Sequence, residues 1–235
     1  MSDVTEESPP AGMDGPLAPL VPLVPPASST PLAQSAQAVP SARKRPRPGE
    51  RRVQILQTLA SMLEAPGAER ITTAALAARL DVSEAALYRH FASKAQMFEG
   101  LIEFIESSVF TLVNQITDRE PSPSLQAQKI ATVLLQFGEK NPGMTRVMVG
   151  DALVFEHERL SQRMNQFFER VESQLRQCLR AAAEAGGSAT PTVDANVLAS
   201  AITSLAVGRL QRYARSGFKR LPTEHLEPAL QRLTT

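Results

Sequence analysis

The stretch that decides the fold is ITTAALAARLDVSEAALYRHFASK, residues 71–94. It predicts two short helices joined by a tight turn. Thr72 or Thr73 can cap the first helix, because a side-chain hydroxyl accepts a backbone N–H that has no partner inside the helix. Ser83 offers a second cap, with Glu84 at the positive end of the second helix. This pattern fits a helix-turn-helix, whose second helix enters the DNA major groove, and it also fits an ordinary αα-hairpin.

The distribution of charge favours DNA binding. The net charge is only +1, but residues 1–40 contain four acidic and no basic residues, whereas residues 43–94 contain ten basic and five acidic residues. A basic segment of this kind suits a partner that carries phosphates. Eleven of the eighteen prolines lie in residues 1–48, and this composition predicts a disordered tail. Such a tail could also dock on an aromatic groove of a partner protein, so a function as an interaction scaffold stays open as well.

A basic arm precedes the first predicted helix. Prolines and a glycine interrupt it, so it is not expected to be helical. A flexible basic arm beside a helix-turn-helix can follow phosphates or enter a minor groove, although a charge run can also serve solubility alone. The arm consists of Arg43, Lys44, Arg45 and Arg47.

The second helix of residues 71–94 supplies the candidate DNA contacts. Its start is where base edges are read, and its end carries residue types that hold phosphates. Leu87 and Phe91 are instead expected in the core. The candidates for base contacts are Ser83, Glu84 and Ala85, and those for phosphate contacts are Tyr88, His90 and Lys94.

Helical periodicity continues through most of the chain. The predicted helices cover residues 50–63, 93–118, 125–140, 144–154, 155–185 and 192–215. The helix over residues 155–185 has a coiled-coil-like apolar seam, and the last one mixes small and apolar residues. Since these two helices have more apolar surface than one subunit can cover, they predict a two-fold dimer with one DNA-binding domain in each subunit.

The remaining chemistry is sparse. Cys178 is the single cysteine, which excludes an intrachain disulfide. His157 lies between two glutamates, but neighbours on a helix point about 100° apart and do not converge on a metal. No catalytic or phosphate-loop motif is present, so neither an enzyme nor a bound cofactor or metal is expected. The chain has no apolar run of about 18 residues and no basic, apolar leader, which predicts a cytoplasmic protein without a membrane span.

The segment that ends in YRHFASK resembles the DNA-binding module of TetR-type regulators, through Tyr88, His90, Phe91 and Lys94. Longer segments resemble one branch of these regulators, the nucleoid occlusion factors, between about residues 51 and 223. These segments are RITTAALAA, VSEAALYRHF, MFEGLIEFIE, FGEKNPGMTR, ALVFE, RMNQFFERVESQLRQCLR and RSGFKRLPT.

This resemblance implies an all-α, TetR-like fold and a homodimer that binds palindromic chromosomal sites on the nucleoid. While bound to DNA, such factors engage the tubulin-like division protein FtsZ and block assembly of its ring. The implied domains are a proline-rich tail with the basic arm over residues 1–48, a three-helix DNA-binding domain over 49–92, and a dimerisation and FtsZ-interaction domain over 93–235. The implied DNA contacts are Thr72, Thr73, Ser83, Ala85, Tyr88, His90 and Lys94, and the implied FtsZ contacts are Phe104, Lys140 and Asn141.

Two residues depart from the family pattern at the implied FtsZ groove. Leu112 stands where the family has a basic residue, and Gln136 stands where it has a glycine. Lys140 and Arg146 would still suit an acidic, apolar peptide. The alternative function on the same scaffold is a ligand-responsive TetR-type transcriptional repressor, which would need a sizeable pocket in residues 93–235.

Overall fold

A computed structural model describes residues 49–65 and 70–234, and all of the regular structure in these ranges is helical. This confirms the all-α class. None of the described helices is long and apolar enough to cross a membrane. The helices are α1 (Glu50–Glu64), α2 (Thr73–Arg79), α3 (Glu84–Tyr88), α4 (Lys94–Arg119), α5 (Pro123–Lys140), α6 (Pro142–Met148), α7 (Glu158–Ala185), α8 (Pro191–Arg215) and α9 (Leu226–Thr234), with a 3₁₀ turn at Asp151–Leu153.

Hydroxyl caps begin α2, α3 and α4, and those of α2 and α3 are as predicted. Each hydroxyl accepts a backbone N–H of the first turn, a contact typically worth about 1 kcal/mol. Between α2 and α3, Asp81 has a φ of 55°, and this left-handed conformation makes the tight turn that the sequence predicts. The distances from hydroxyl oxygen to backbone nitrogen are 3.1 Å for Thr72, 3.3 Å for Ser83 and 3.2 Å for Ser93.

Helix α1 packs against α2, α4 and α6. In the sequence, Val53 and Ala60 share one helical stripe that predicts a buried face, but Val53 is 48% exposed. Ala60 lies on the same side of α1 and is buried, because Gly143 of α6 approaches its backbone closely. Helix α6 is only seven residues long, and Val53 lies two turns away from this contact.

The central core is formed by α4, α5, α7 and α8, with α5 packed against the other three. The predicted seam on α7 is buried, but it packs into the core of its own chain. The prediction that α7 offers surplus apolar surface to a partner is therefore wrong. Exposed apolar residues lie instead on α8, at Val193 and Val197. The predicted seam consists of Leu160, Met164, Phe167, Val171, Leu175, Cys178 and Ala182, and all of these are buried except Ala182, which is half-buried.

The segment between α5 and α7 differs from the prediction of one helix over residues 144–154. Helix α6 begins earlier, at Pro142, because proline is favoured in the first turn of a helix. It ends before Gly150, whose φ of 86° breaks the helix, and the 3₁₀ turn follows. Helix α7 then starts at Glu158, after a cap by the His157 side chain.

Helix α9 was not predicted. Its contact with the core rests on Leu226 and Leu230, which are one turn apart and buried. That spacing is a helical signal in the sequence. Pro228 lies in the first turn, where a helix tolerates proline.

Candidate nucleic-acid interface

Helix α3 presents one face to the solvent and buries the other. Leu87 and the following Phe91 are each 1% exposed, as predicted. Ser83, Glu84 and Ala85 at the helix start are exposed. The hydrophobic anchors therefore set the direction of the helix, and its opposite face is free for base edges in a major groove.

A polar network joins α2 to α3. The Thr73 hydroxyl donates a hydrogen bond to Glu84 Oε2 at 2.5 Å, and the Tyr88 hydroxyl lies 3.5 Å from Thr73 Oγ1. Tyr88 remains 45% exposed. The structure thus brings together three residues that the sequence proposed as DNA contacts. Because the Glu84 carboxylate is held by Thr73, its evident structural role is to orient the two helices.

Arg52 of α1 is an addition to the candidate surface. Its Nη1 donates to the His90 carbonyl oxygen at 3.1 Å, and its guanidinium carbon lies 4.2 Å from the centre of the Phe91 ring. It closes the end of α3 and adds a positive charge there, next to the exposed His90. Arg52 lies 38 residues from His90 in the chain, so no local pattern in the sequence indicates this contact.

Lys94 lies where a phosphate contact is expected, at the first residue of α4. Its ammonium is already paired with the Glu156 carboxylate from the loop before α7. It also lies 5.7 Å from the centre of the Phe98 ring. A DNA phosphate would therefore compete with Glu156 for this charge. The arm residues Arg43, Lys44, Arg45 and Arg47 lie outside the described residues.

Further ion pairs extend this contact between α4 and α7. Arg159 Nε lies 2.9 Å from Glu99 Oε1. Arg163 binds both carboxylate oxygens of Glu106, at 3.1 and 2.6 Å. The hydrogen bonds that Arg163 donates to Glu106 raise the pKa of its guanidinium. Two-point contacts of this kind restrict the orientation of the two side chains. The ion pairs therefore fix the start of α7 against α4, the helix that follows the DNA-binding helices.

The three implied FtsZ contacts differ in accessibility. Phe104 is half-buried, with its ring centre 6.3 Å from that of Phe137. Asn141 is only 6% exposed, and its amide donates to the Phe137 carbonyl oxygen at 2.8 Å. Lys140 is exposed. Among these three, Lys140 is thus the side chain most available to a partner, whereas Asn141 shapes the end of α5.

An open groove of about 340 Å³ lies between α6, α7 and α8. Its floor includes Thr203, whose hydroxyl is buried without a hydrogen-bond partner among the described residues. No group of three or more His, Cys, Asp or Glu side chains in the described ranges could hold a metal ion. The apolar lining consists of Met148, Val149, Leu153, Met164, Phe168 and Val207.

Solved structures share this architecture. The transcriptional regulator FadR from Bacillus subtilis, in complex with stearoyl-CoA, aligns with a TM-score of 0.62 and 12% identity, over 77% of this chain and 97% of that one. The TetR family transcriptional regulator PfmR from Thermus thermophilus aligns with a TM-score of 0.62 and 19% identity, over 78% and 95%. At these identities the likeness shows the fold alone, and it confirms the TetR-like arrangement.

Sequence comparisons are more specific. The model for bacterial regulatory proteins of the tetR family matches residues 55–101, and the SlmA-like model, a tetracyclin repressor-like C-terminal domain, matches residues 124–235. The nucleoid occlusion factor SlmA of Photobacterium profundum is 52% identical over 185 residues, covering 78% of this chain and 94% of the relative. That of Vibrio cholerae is 52% identical over 178 residues, covering 75% and 90%. The chain belongs to the SlmA family of nucleoid occlusion factors, a branch of the TetR-family DNA-binding regulators.

Proposed function

We propose that this chain binds palindromic chromosomal sites as a homodimer and, when bound, engages FtsZ and prevents its ring from assembling over the nucleoid. The protein would act in the cytoplasm, on the nucleoid. The observation that carries the proposal is the match to nucleoid occlusion factors along nearly their whole length. As a member of a family of DNA-binding regulators, the chain is not an enzyme.

We assign DNA binding to residues 49–92 together with the basic arm and Lys94 at the start of α4. The exposed start of α3 supports base reading by Ser83 and Ala85. Tyr88 and Lys94 suit phosphate contacts, since phosphate contacts position a protein without specifying sequence. Thr72, Thr73, Glu84 and His90 complete the surface, with Arg52 added from the structure.

We assign dimerisation to the exposed face of α8. Val193 is 58% and Val197 63% exposed, and Ala201 and Ser204 continue the same face. At Gly208 nothing in the described residues lies within 4 Å of an added Cβ, so a second helix could approach there. A two-fold axis along this face gives two α3 helices for the two halves of a palindrome.

FtsZ binding is assigned to residues 93–235, near the contact of α4 with α5. Phe104 offers a half-buried aromatic edge, and Lys140 an exposed positive charge. This combination suits an acidic peptide with an apolar anchor. Leu112 is buried, so the loss of the family's basic residue there leaves Lys140 with a larger part of the charge complementarity.

The test is FtsZ assembly with GTP, followed by light scattering and filament imaging, with and without a palindromic DNA site. We expect filaments to shorten only when both this protein and the DNA are present. Lys140→Glu should abolish the effect and leave DNA affinity unchanged, whereas Lys219→Glu, the same change at another exposed lysine, should retain it. Filaments that are unaffected by the DNA-bound wild-type protein would contradict the proposal.

A second candidate is a ligand-responsive repressor. It is favoured by the groove between α6, α7 and α8, whose volume falls within the range of small-molecule sites. The two functions are separated by mapping bound sites across the chromosome. Many dispersed sites indicate nucleoid occlusion, whereas one site beside the protein's own gene, released by a small molecule, indicates a repressor.

A further inference from the structure

A pocket lined by arginines lies at the C-terminal end of α8. It has a volume of about 150 Å³ and is bounded by the last turns of α8 and the loop that leads to α9. This volume corresponds to roughly five water molecules at about 30 Å³ each. A group with the size of one or two phosphoryl units therefore fits it. The lining residues are Arg209, Arg212, Arg220, Leu221, Glu224 and His225.

Arg209 forms the fixed wall of this pocket. Its Nη1 donates to the carbonyl oxygens of Pro222 and Glu224, at 3.0 and 2.6 Å. Its Nε is buried and has no hydrogen-bond partner among the described residues. Both acceptors are neutral, so these contacts orient the guanidinium without neutralising its charge.

The surrounding charge is one-sided. Residues 209–225 contain five basic residues and one acidic residue, a net charge of +4 within a chain of +1. In the described ranges, no hydrogen bond or ion pair is found for the side chains of Arg212 and Arg220. The positive charges of these side chains are therefore available to an anion. The repulsion between the positive charges would fall when an anion binds.

The loop holds its arginine in place without a ligand. The Ser216 hydroxyl accepts hydrogen bonds from the backbone N–H groups of Lys219 and Arg220, at 3.1 and 2.9 Å. Phe218 has a φ of 64° and packs edge-on against Tyr213, with ring centres 5.2 Å apart. A left-handed conformation is unfavourable for a bulky residue and persists only where packing imposes it. The backbone that carries Arg220 is thus set opposite α8 by its own contacts.

We propose that this pocket binds a small phosphorylated anion, with a phosphate or diphosphate group held by Arg209, Arg212 and Arg220. Guanidinium groups match phosphate oxygens in geometry and charge and can bind them at two points. A concave pocket built around a fixed arginine suits a compact ligand better than an extended backbone. The inference does not depend on FtsZ or on DNA recognition.

The test is isothermal titration of the full chain with inorganic pyrophosphate and with inorganic phosphate. We expect saturable binding that Arg220→Gln weakens by about tenfold or more, because each charge-assisted contact contributes on this scale. Lys219→Gln is the matched control: it removes the same charge from the neighbouring residue, which does not line the pocket. It should change the affinity less than twofold.

Several outcomes would overturn the proposal. Equal weakening by Arg220→Gln and Lys219→Gln would mean general charge attraction instead of a built site. A lack of pyrophosphate binding to the wild-type chain, combined with weaker DNA binding by Arg220→Gln, would assign the patch to the nucleic-acid backbone.

Arg209→Lys keeps the charge but loses the two-carbonyl contact, and we expect it to weaken pyrophosphate binding while circular dichroism shows an unchanged helix content.

Discussion

Gly143 joins the DNA-binding end to the core, and replacing it with alanine should loosen that junction. A Cβ at this position would lie 2.0 Å from the Ala60 carbonyl oxygen. Real Cβ atoms essentially never approach another atom within 3.0 Å, so α1 and α6 would have to separate by at least 3.0 − 2.0 = 1.0 Å. The obstacle is backbone within a packed helix, which cannot rotate away as a side chain would.

The expected cost lies at the upper end of the range for overpacked cores, about 3 kcal/mol. The shift would also disturb Glu64, since the Gly143 backbone forms a hydrogen bond with this carboxyl, whose pKa burial raises. In a chain of this size, about 3 kcal/mol corresponds to a fall in melting temperature of roughly 6–12 °C. The measurement is thermal unfolding followed by circular dichroism, together with affinity for a palindromic site.

Gly186→Ala is the control for Gly143→Ala. Gly186 has a φ of −80°, and the nearest atom to an added Cβ is 3.4 Å away, so its melting temperature should stay within about 2 °C of wild type. The reasoning would be refuted if Gly143→Ala melted like the wild-type protein. It would also be refuted if the two variants lost equal stability, because the close contact with α1 would then have no special cost.

Four other predictions follow from individual side chains. Burial, followed by the charges of Glu139 and Glu64, raises the pKa of Tyr213 from its ordinary value of about 10 to about 12. The neutral phenol thus stabilises the fold below pH 10, and about 3 kcal/mol of the free energy of unfolding is lost as the pH rises to 12. Denaturant unfolding at several pH values should show this loss relative to Tyr213→Phe, and parallel pH curves for the two proteins would contradict it. Lys94→Ala should weaken binding to all DNA sequences alike and reduce the slope of log affinity against log salt concentration by about one. Glu156→Gln should strengthen DNA binding, because it removes the carboxylate that competes for Lys94. Weaker binding by Glu156→Gln in a filter or anisotropy assay would count against that competition. Burial raises the pKa of the Cys178 thiol, so it should react with a thiol reagent only after unfolding, and rapid labelling of the native chain would show that α7 is not packed as described.

Local patterns in the sequence predicted most of the elements. Helix starts were predictable because Thr72, Ser83 and Ser93 act on backbone groups within their own first turn. Leu87 and Phe91 were predictable as core because their spacing places them behind the exposed face of α3. The weakest prediction was the segment after α5, where a helix was expected from residue 144 but α6 begins at Pro142. Proline is compatible both with the end of one helix and with the first turn of the next.

The candidate site required more than local pattern. Arg52 reaches His90 across 38 residues, and Lys94 reaches Glu156 across 62. The exposure of Asn141 also depends on the packing of α5, and the structure shows this residue to be buried. Periodicity identifies which face of a helix is apolar, but it does not state whether that face meets its own chain or a partner.

By itself, the sequence determined the helical class, the helix-turn-helix and the family, because these depend on spacing and residue type within short segments. Only the tertiary structure decided which apolar faces remain open on α8 and which charges are already paired. It also decided which arginines near residue 220 meet in one pocket. These properties depend on distances between segments far apart in the chain, and such distances are set by the packing of all the helices together.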